Sequence, residues 1–259
     1  MYITLFVISI FSGFLSGFLG LGGAVIMIPL MLTIPPLFNV GNLPMKEIAG
    51  LSMLQVFFST VFGLVIHNKN QFVNKKILLL IGIPLGLFSL LGAYFSKYMQ
   101  NEFIIVLFLI VVLFSFFLLL TDKKNNDDEK NIEIVNINNK LAIFIGGVIG
   151  AVSGIVGTGG GVILIPLMIK VLKIPLRITI GTSLGIIFIS AILGAIGKIM
   201  SFQVNYFFVL PIVIGSLISA PFGAIVSKRV PQKIIKISLL IIIFLSFIQA
   251  LFKVISIYR

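Results

Sequence analysis

The stretch GFLSGFLGLGGAVIMIPLM, residues 13–31, decides the architecture because it recurs as GAVSGIVGTGGGVILIPLM at residues 150–168. The two stretches align without gaps, and 12 of their 19 positions are identical. The identical positions include glycine, serine and proline, which chance similarity between apolar helices would not place in register. The sequence therefore predicts two homologous halves.

The match continues after a difference of six residues in length. Gly50-Leu51-Ser52 corresponds to Gly181-Thr182-Ser183, and Ser96-Lys97 corresponds to Ser227-Lys228. We therefore predict a first membrane repeat over residues 1–121 and a second over residues 140–259. The segment between them, residues 122–139, holds five of the seven acidic residues and a run of asparagine, which is typical of a solvated linker loop.

The composition indicates a membrane protein that crosses the bilayer several times. Of the residues, 59% are apolar and 10% are charged, and the mean hydropathy is +1.24. Soluble domains have about 25% charged residues. We expect a multi-pass location in the cell membrane, with the lipid bilayer as a partner. The formal charge of +12 comes from basic residues between apolar stretches, and this pattern does not indicate a nucleic-acid partner.

The opening segment of each half is unusual in length. Residues 141–169 form an uncharged run of 29 positions, which would be about 44 Å long as one helix. That is too long for one untilted crossing and too short for two crossings of about 20 residues each. The remaining apolar segments are ordinary crossings, at residues 48–66, 77–96, 103–121, 178–197, 206–227 and 237–252.

The distribution of lysine and arginine favours a helical hairpin at each opening segment. With hairpins, fourteen basic residues lie on one side of the membrane and five on the other, whereas single crossings give ten and nine. We therefore predict an all-α integral membrane protein with two homologous inverted repeats. Each repeat is a Gly-broken helical hairpin plus three transmembrane helices, and the alternative is eight plain crossings with parallel repeats.

Two glycine clusters near the centres of the opening segments are the strongest local signal. Glycine permits the left-handed backbone angles that interrupt a helix, and the next helix then presents unpaired N–H groups and a positive dipole end. Two such ends that face each other would bind an anion without a buried basic residue. The alternative is that the small residues allow close helix packing. The predicted substrate-binding positions in the clusters are Gly20, Gly22, Gly23, Gly157, Thr158, Gly159, Gly160 and Gly161.

Polar side chains near the same level would add hydrogen-bond donors to this site. They are Ser52 and Gln55 in the first half and Thr182 and Ser183 in the second. The alternative is that these hydroxyl groups bond to their own or neighbouring backbones.

One histidine and one lysine occupy equivalent positions at the ends of equivalent helices. We consider His67 and Lys198 for gating or coupling, against the alternative that both are residues of the membrane interface. Apart from them, the apolar segments contain no nucleophile–base pair, no metal-ligand cluster and no deep acidic residue. We therefore expect no enzymatic activity, no metal and no cofactor.

The paired motif resembles the sulfite exporter TauE/SafE family of membrane permeases. The residues that carry the resemblance are the two glycine-rich segments through Pro29 and Pro166, Gly181-Thr182-Ser183 with its weaker copy Gly50-Leu51-Ser52, and His67 followed by Val73-Asn74. The resemblance covers essentially the whole chain. It implies a permease of the cytoplasmic membrane that moves sulfite, a sulfonate or a similar small sulfur anion. Leu21 and Ala24 depart from the fuller pattern, in which the second half has Thr158 and Gly161.

The sequence therefore predicts a secondary transporter for a small anion, sulfite or an organosulfonate, by alternating access around a site near the membrane midplane. The alternatives are an anion channel and a non-transporting membrane scaffold or assembly protein. The choice of anion, the transport direction, proton or ion coupling and homo-oligomerisation stay open.

Overall fold

The computed structural model describes residues 1–68, 74–121 and 139–258, without the side chains of 62–68, 177 and 258. Secondary structure within these ranges is helical. A short 3₁₀ helix, Ser96–Tyr98, follows the fourth α-helix. The α-helices are α1 (Tyr2–Leu19), α2 (Ala24–Leu37), α3 (Met45–Asn68), α4 (Lys75–Phe95), α5 (Asn101–Leu120), α6 (Asn139–Val156), α7 (Gly161–Lys170), α8 (Leu176–Met200), α9 (Tyr206–Arg229) and α10 (Gln232–Tyr258).

Long apolar helices confirm the predicted all-α membrane protein. Seven helical segments within the described ranges are long and apolar enough to cross a bilayer. Large apolar side chains on their outer faces, such as Leu87 and Phe207, are 54% and 77% exposed, as lipid contact requires. The seven segments are Tyr2–Leu19, Lys75–Tyr98, Asn101–Leu120, Asn139–Val156, Ile178–Met200, Tyr206–Arg229 and Gln232–Ile257.

Both opening segments break at their glycine clusters, as the sequence predicts. α1 and α2 are separated by residues 20–23, and α6 and α7 by residues 157–160. α2 has 14 residues and α7 has 10, which correspond to about 21 and 15 Å. Both helices are therefore too short for a hydrocarbon core of about 30 Å.

An asparagine begins the same helix in each half. The side chain of Asn74 accepts a hydrogen bond from the backbone N–H of Ile77 at 3.1 Å, and that of Asn205 accepts one from Phe207 at 3.2 Å. These caps satisfy backbone donors at the starts of α4 and α9. The asparagine of the repeated Val-Asn pair therefore has a structural role in both halves.

The first helix of each half packs on the fourth helix of the other half. A Cβ on Gly13 would lie 2.8 Å from the Cα of Ser216, and one on Gly17 would lie 2.9 Å from the backbone nitrogen of Ala224. The residue numbers rise together, so α1 and α9 run parallel. Glycine is required because the two backbones nearly touch.

The equivalent pair, α6 and α4, packs in the same way. A Cβ on Gly146 would lie 2.7 Å from the carbonyl oxygen of Ile81, and one on Gly154 would lie 2.8 Å from the backbone nitrogen of Ala93. These two helices are therefore also parallel, and each half contributes one member to each pair.

The third helices of the two halves run in opposite directions. Met53 lies against Gly194, and the ring of Phe57 stacks on that of Phe188 with centroids 5.7 Å apart. Residue numbers therefore increase along α3 in the direction in which they decrease along α8. Since α8 and α9 cross in opposite directions, α3 runs in the direction of α9, and so does α1. The chain must therefore return between α1 and α3, and α2 makes this return. These directions support the proposal of hairpins in inverted repeats.

The boundaries of the two repeats stay a prediction. Except for Asn139, which begins α6, the linker segment 122–139 lies outside the described residues.

Candidate functional site

The first glycine turn lies between α1 and α2. Gly20, Gly22 and Gly23 have φ angles of 73°, 82° and 75°, in the left-handed region that other residues rarely adopt. The backbone N–H of Gly20 donates to the carbonyl of Ser16 at 2.9 Å and closes α1. Gly23 then begins α2 as its N-cap. The turn therefore depends on glycine for its backbone shape.

The second glycine turn repeats this geometry between α6 and α7. Gly157, Gly159 and Gly160 have φ angles of 86°, 66° and 91°. The backbone N–H of Gly157 donates to the carbonyl of Ser153 at 2.8 Å, and Gly160 is the N-cap of α7. The two turns are thus matched residue for residue.

Both turns meet on the same two side chains. A Cβ on Gly22 would lie 2.9 Å from Val56 Cγ1 and 3.1 Å from Ile187 Cγ2. A Cβ on Gly159 would lie 2.8 Å from Val56 Cγ1 and 3.2 Å from Ile187 Cγ2. Val56 is on α3, and Ile187 occupies the equivalent position on α8. The structure therefore brings the predicted glycines of the two halves together.

The starts of α2 and α7 lie at this meeting point. A Cβ on Gly161, the first residue of α7, would overlap the carbonyl oxygen of Leu21 in the opposite turn. The first N–H groups of a helix lack acceptors within the helix, and its dipole is positive at that end. The arrangement can therefore bind a small anion, which is the chemistry that the sequence predicts.

Gln55 points into the first glycine turn and has no hydrogen-bond partner there. Its side chain is 0% exposed, and neither its amide nitrogen nor its amide oxygen is hydrogen-bonded. A Cβ on Gly23 would lie 2.8 Å from Gln55 Nε2. A buried polar group without a partner costs about 1–3 kcal/mol, which a bound ligand would offset.

The equivalent serines of the two halves differ. Ser183 on α8 donates to the carbonyl oxygens of Gly20 at 3.2 Å and Ile180 at 3.0 Å, and so fastens the first turn to α8. Ser52 on α3 is also fully buried, but its hydroxyl oxygen has no partner. Of the predicted side-chain contacts, Ser52 and Gln55 of the first half are therefore the ones without a hydrogen-bond partner; Ser190 on α8, which was not predicted, also has none.

The remaining predicted contacts have other neighbours. Thr182 accepts a hydrogen bond from the backbone N–H of Asn74 at 3.0 Å. Gly157 packs against the backbone of Ala49, and Gly160 faces Ile149 and Leu85. Each of these residues holds helices together in this structure. Thr158, in the second turn, is 2% exposed.

Lys198 lies in a separate network at the end of α8. It is 0% exposed, and its Nζ donates to Ser96 Oγ at 2.7 Å, to Gln203 Oε1 at 2.9 Å and to the carbonyl of Ile155 at 3.1 Å. The side chain of His67, at the equivalent position of the first half, lies outside the described residues.

Sequence reasoning missed Gln203 as a partner of Lys198. The available signal was a polar side chain in the short segment between two long apolar helices. Ser96 was visible as a repeated residue, but nothing in the repeat linked it to Lys198.

Metal ligands do not cluster in the described part of the chain: no three His, Asp or Glu side chains there could together hold a metal ion. The polar groups around the glycine turns include amides and hydroxyls, which can donate hydrogen bonds to an anion.

Comparisons with known proteins agree on a transporter. The family described as "Sulfite exporter TauE/SafE" matches residues 5–250. The chain is 26% identical to the probable membrane transporter protein YunE of Bacillus subtilis, over 97% of this chain and 98% of YunE. It is also 26% identical to a probable membrane transporter protein of Methanocaldococcus jannaschii, over 91% and 90% of the two chains. No solved structure matches.

Proposed function

Because the chain belongs to the sulfite exporter TauE/SafE family, we propose that it is a secondary transporter for sulfite or an organosulfonate. It is a multi-pass membrane transporter by family and by its apolar helices. The proposal adds the class of substrate, the binding site and alternating access as the mechanism.

One observation carries the proposal: the unpartnered Gln55 amide lies beside Gly23, where two broken helices begin. Buried polar groups are nearly always hydrogen-bonded, so the amide at this position favours binding of a ligand with polar atoms. Amide and hydroxyl donors suit the oxygens of a small oxyanion. The backbone N–H groups of α2 and α7 would supply the positive potential.

The packing of the helices suits alternating access. Since α1 packs on α9 and α6 packs on α4, each pair joins the two halves of the chain. Movement of one pair relative to the other would open the glycine turns first to one side of the membrane and then to the other. Val56 and Ile187, which contact both turns, would close the site between these states.

Uptake into liposomes tests the proposal. The purified protein would be reconstituted, and flux of sulfite, a taurine-like sulfonate, sulfate and acetate would be measured with and without a pH gradient. Saturable flux of a sulfur anion is the expected result, and its response to the gradient reports proton coupling. Conductance without saturation would instead indicate a channel. Absence of flux in correctly inserted protein would favour a scaffold.

A substitution at the second glycine turn tests the site. Gly159→Val adds a Cβ 2.8 Å from Val56 Cγ1 at a φ of +66°, so we expect flux to be abolished while the protein still inserts. Gly147→Ala is the matched control, because its Cβ would make an ordinary contact of 3.5 Å with Phe88. Normal flux in Gly159→Val would refute this site.

A further inference from the structure

Within the described residues, the structure places no carboxylate against the buried side chain of Lys198. Its Nζ lies within hydrogen-bonding distance of three oxygen atoms, an arrangement that suits an ammonium group. The three acceptors are the oxygens of Ser96, Gln203 and Ile155, and all are uncharged. A buried ammonium group without a counter-ion is unfavourable, so this position favours an anion nearby.

A cavity of about 480 Å³ lies next to this charge. Gln203 connects the two, because it lines the cavity and its Oε1 accepts from Lys198 at 2.9 Å. Lys46 and Lys97 also line the cavity, and so does one acidic residue, Glu47. With Lys198 behind the wall, the basic groups outnumber the acidic one by three to one.

The two lysines of the wall are held in place. Lys46 Nζ donates to the carbonyl oxygen of Lys97 at 2.8 Å. Lys97 Nζ lies 4.0 Å from the ring centroid of Tyr94 and 4.8 Å from that of Tyr98. Cation–π contacts of this kind fix an ammonium group while leaving its charge unneutralised.

The repeat preserves basic residues at the equivalent positions of the other half. In the repeat alignment, Lys46 corresponds to Arg177 and Lys97 corresponds to Lys228. The difference in residue number within each pair is the same as that between His67 and Lys198. A helix-packing role alone does not require a basic or imidazole side chain at all three positions. Arg177 and Lys228 belong to the fourteen basic residues on the opposite side of the membrane, where the positive-inside distribution accounts for their charge, so the anion site rests on the cavity itself.

We propose that this cavity is a second anion-binding site, separate from the glycine turns, for a small oxyanion on its way into or out of the protein. Its ligand class rests on the proposed function. Lys46, Lys97 and Lys198 are three of the five basic residues that the positive-inside distribution assigns to the non-cytoplasmic side. Lys198 supplies the attraction, and its bond to Ile155 connects the site to the end of α6, two residues before the second glycine turn.

One substitution separates the charge of Lys198 from its hydrogen bonds. Gln203→Glu keeps an oxygen acceptor at the position 2.9 Å from Lys198 Nζ but adds a negative charge. The resulting ion pair neutralises the lysine, so anion binding in the cavity should be lost while the protein stays folded. Because Gln203 also lines the cavity, Lys198→Met is made in parallel; it removes the charge without adding one to the wall, and a purely structural role of Lys198 predicts no change in anion binding in that variant.

Labelling of a single cysteine gives a readout confined to this cavity. The chain has no cysteine, and Ser201→Cys places a thiol of similar size in the cavity wall. In proteoliposomes, methanesulfonate should slow its reaction with a membrane-impermeant maleimide several-fold. The exposed Gln100→Cys is the control, and its labelling should not respond to the anion.

The expected result is protection of Ser201→Cys that disappears when Gln203→Glu is added. No protection in the first variant, or equal protection in both, would overturn the second site. If Gln203→Glu does not fold, Lys198→Met replaces it, with Lys253→Met as the control for loss of one charge. Flux without protection refutes this site and leaves the proposed function standing. Protection without flux supports this site and contradicts the proposed transport function.

Discussion

Replacement of Gln55 by methionine should make the protein more stable and abolish its transport. Both polar atoms of the Gln55 amide are buried without a partner. Each such group costs about 1–3 kcal/mol, so an apolar side chain of similar length should raise the free energy of unfolding by about 1–3 kcal/mol. Flux should fall because the ligand loses the amide beside Gly23.

Thermal unfolding in detergent and anion flux in liposomes would measure the two effects on one preparation. Gln203→Met is the matched control, since it makes the same chemical change at an amide that accepts from Lys198 at 2.9 Å. This control should lower the unfolding midpoint because a buried ammonium group loses an acceptor. Stability and activity should thus move in opposite directions in Gln55→Met. A lower midpoint or unchanged flux in that variant would refute the reasoning.

Three further predictions concern the topology and the packing. Single cysteines at Lys76 and Lys228 should label from the same side of the membrane and one at Gln100 from the opposite side; a different pattern would contradict the inverted repeats. Gly154→Leu should lower the unfolding midpoint, because its side chain would enter the backbone of α4 and overpacking costs about 1–3 kcal/mol. Ser183→Ala should lower the free energy of unfolding by about 0.5–1.5 kcal/mol through loss of its buried hydrogen bonds, and an unchanged value would remove its structural role.

The fold class and the helix breaks were predictable because they depend on local properties of the chain. Apolar length and the lack of charge define the crossings. Glycines in the middle of a segment too long for one crossing define the interruption, and their positive φ angles confirm it. The repeat predicts that the backbone turn at Gly22 recurs at Gly159.

The candidate site was predictable in outline and not in its asymmetry. Sequence reasoning selected both serines of the repeated pair as ligand contacts. The structure shows that Ser183 is occupied by the carbonyl of Gly20, whereas Ser52 has no partner. The repeat does not encode this difference, because the partner of Ser183 comes from the other half of the chain through tertiary packing.

The sequence by itself determined a helical membrane protein with two related halves, because hydropathy, glycine content and internal similarity are carried by each segment alone. The tertiary structure decided which buried polar side chains have a hydrogen-bond partner and which basic side chain is buried. The sequence places Lys198 at the end of a helix, but its side chain is enclosed because Ser96 and Ile155 contact it from distant parts of the chain. Such contacts join residues far apart in sequence, and only the packing of the helices brings them together.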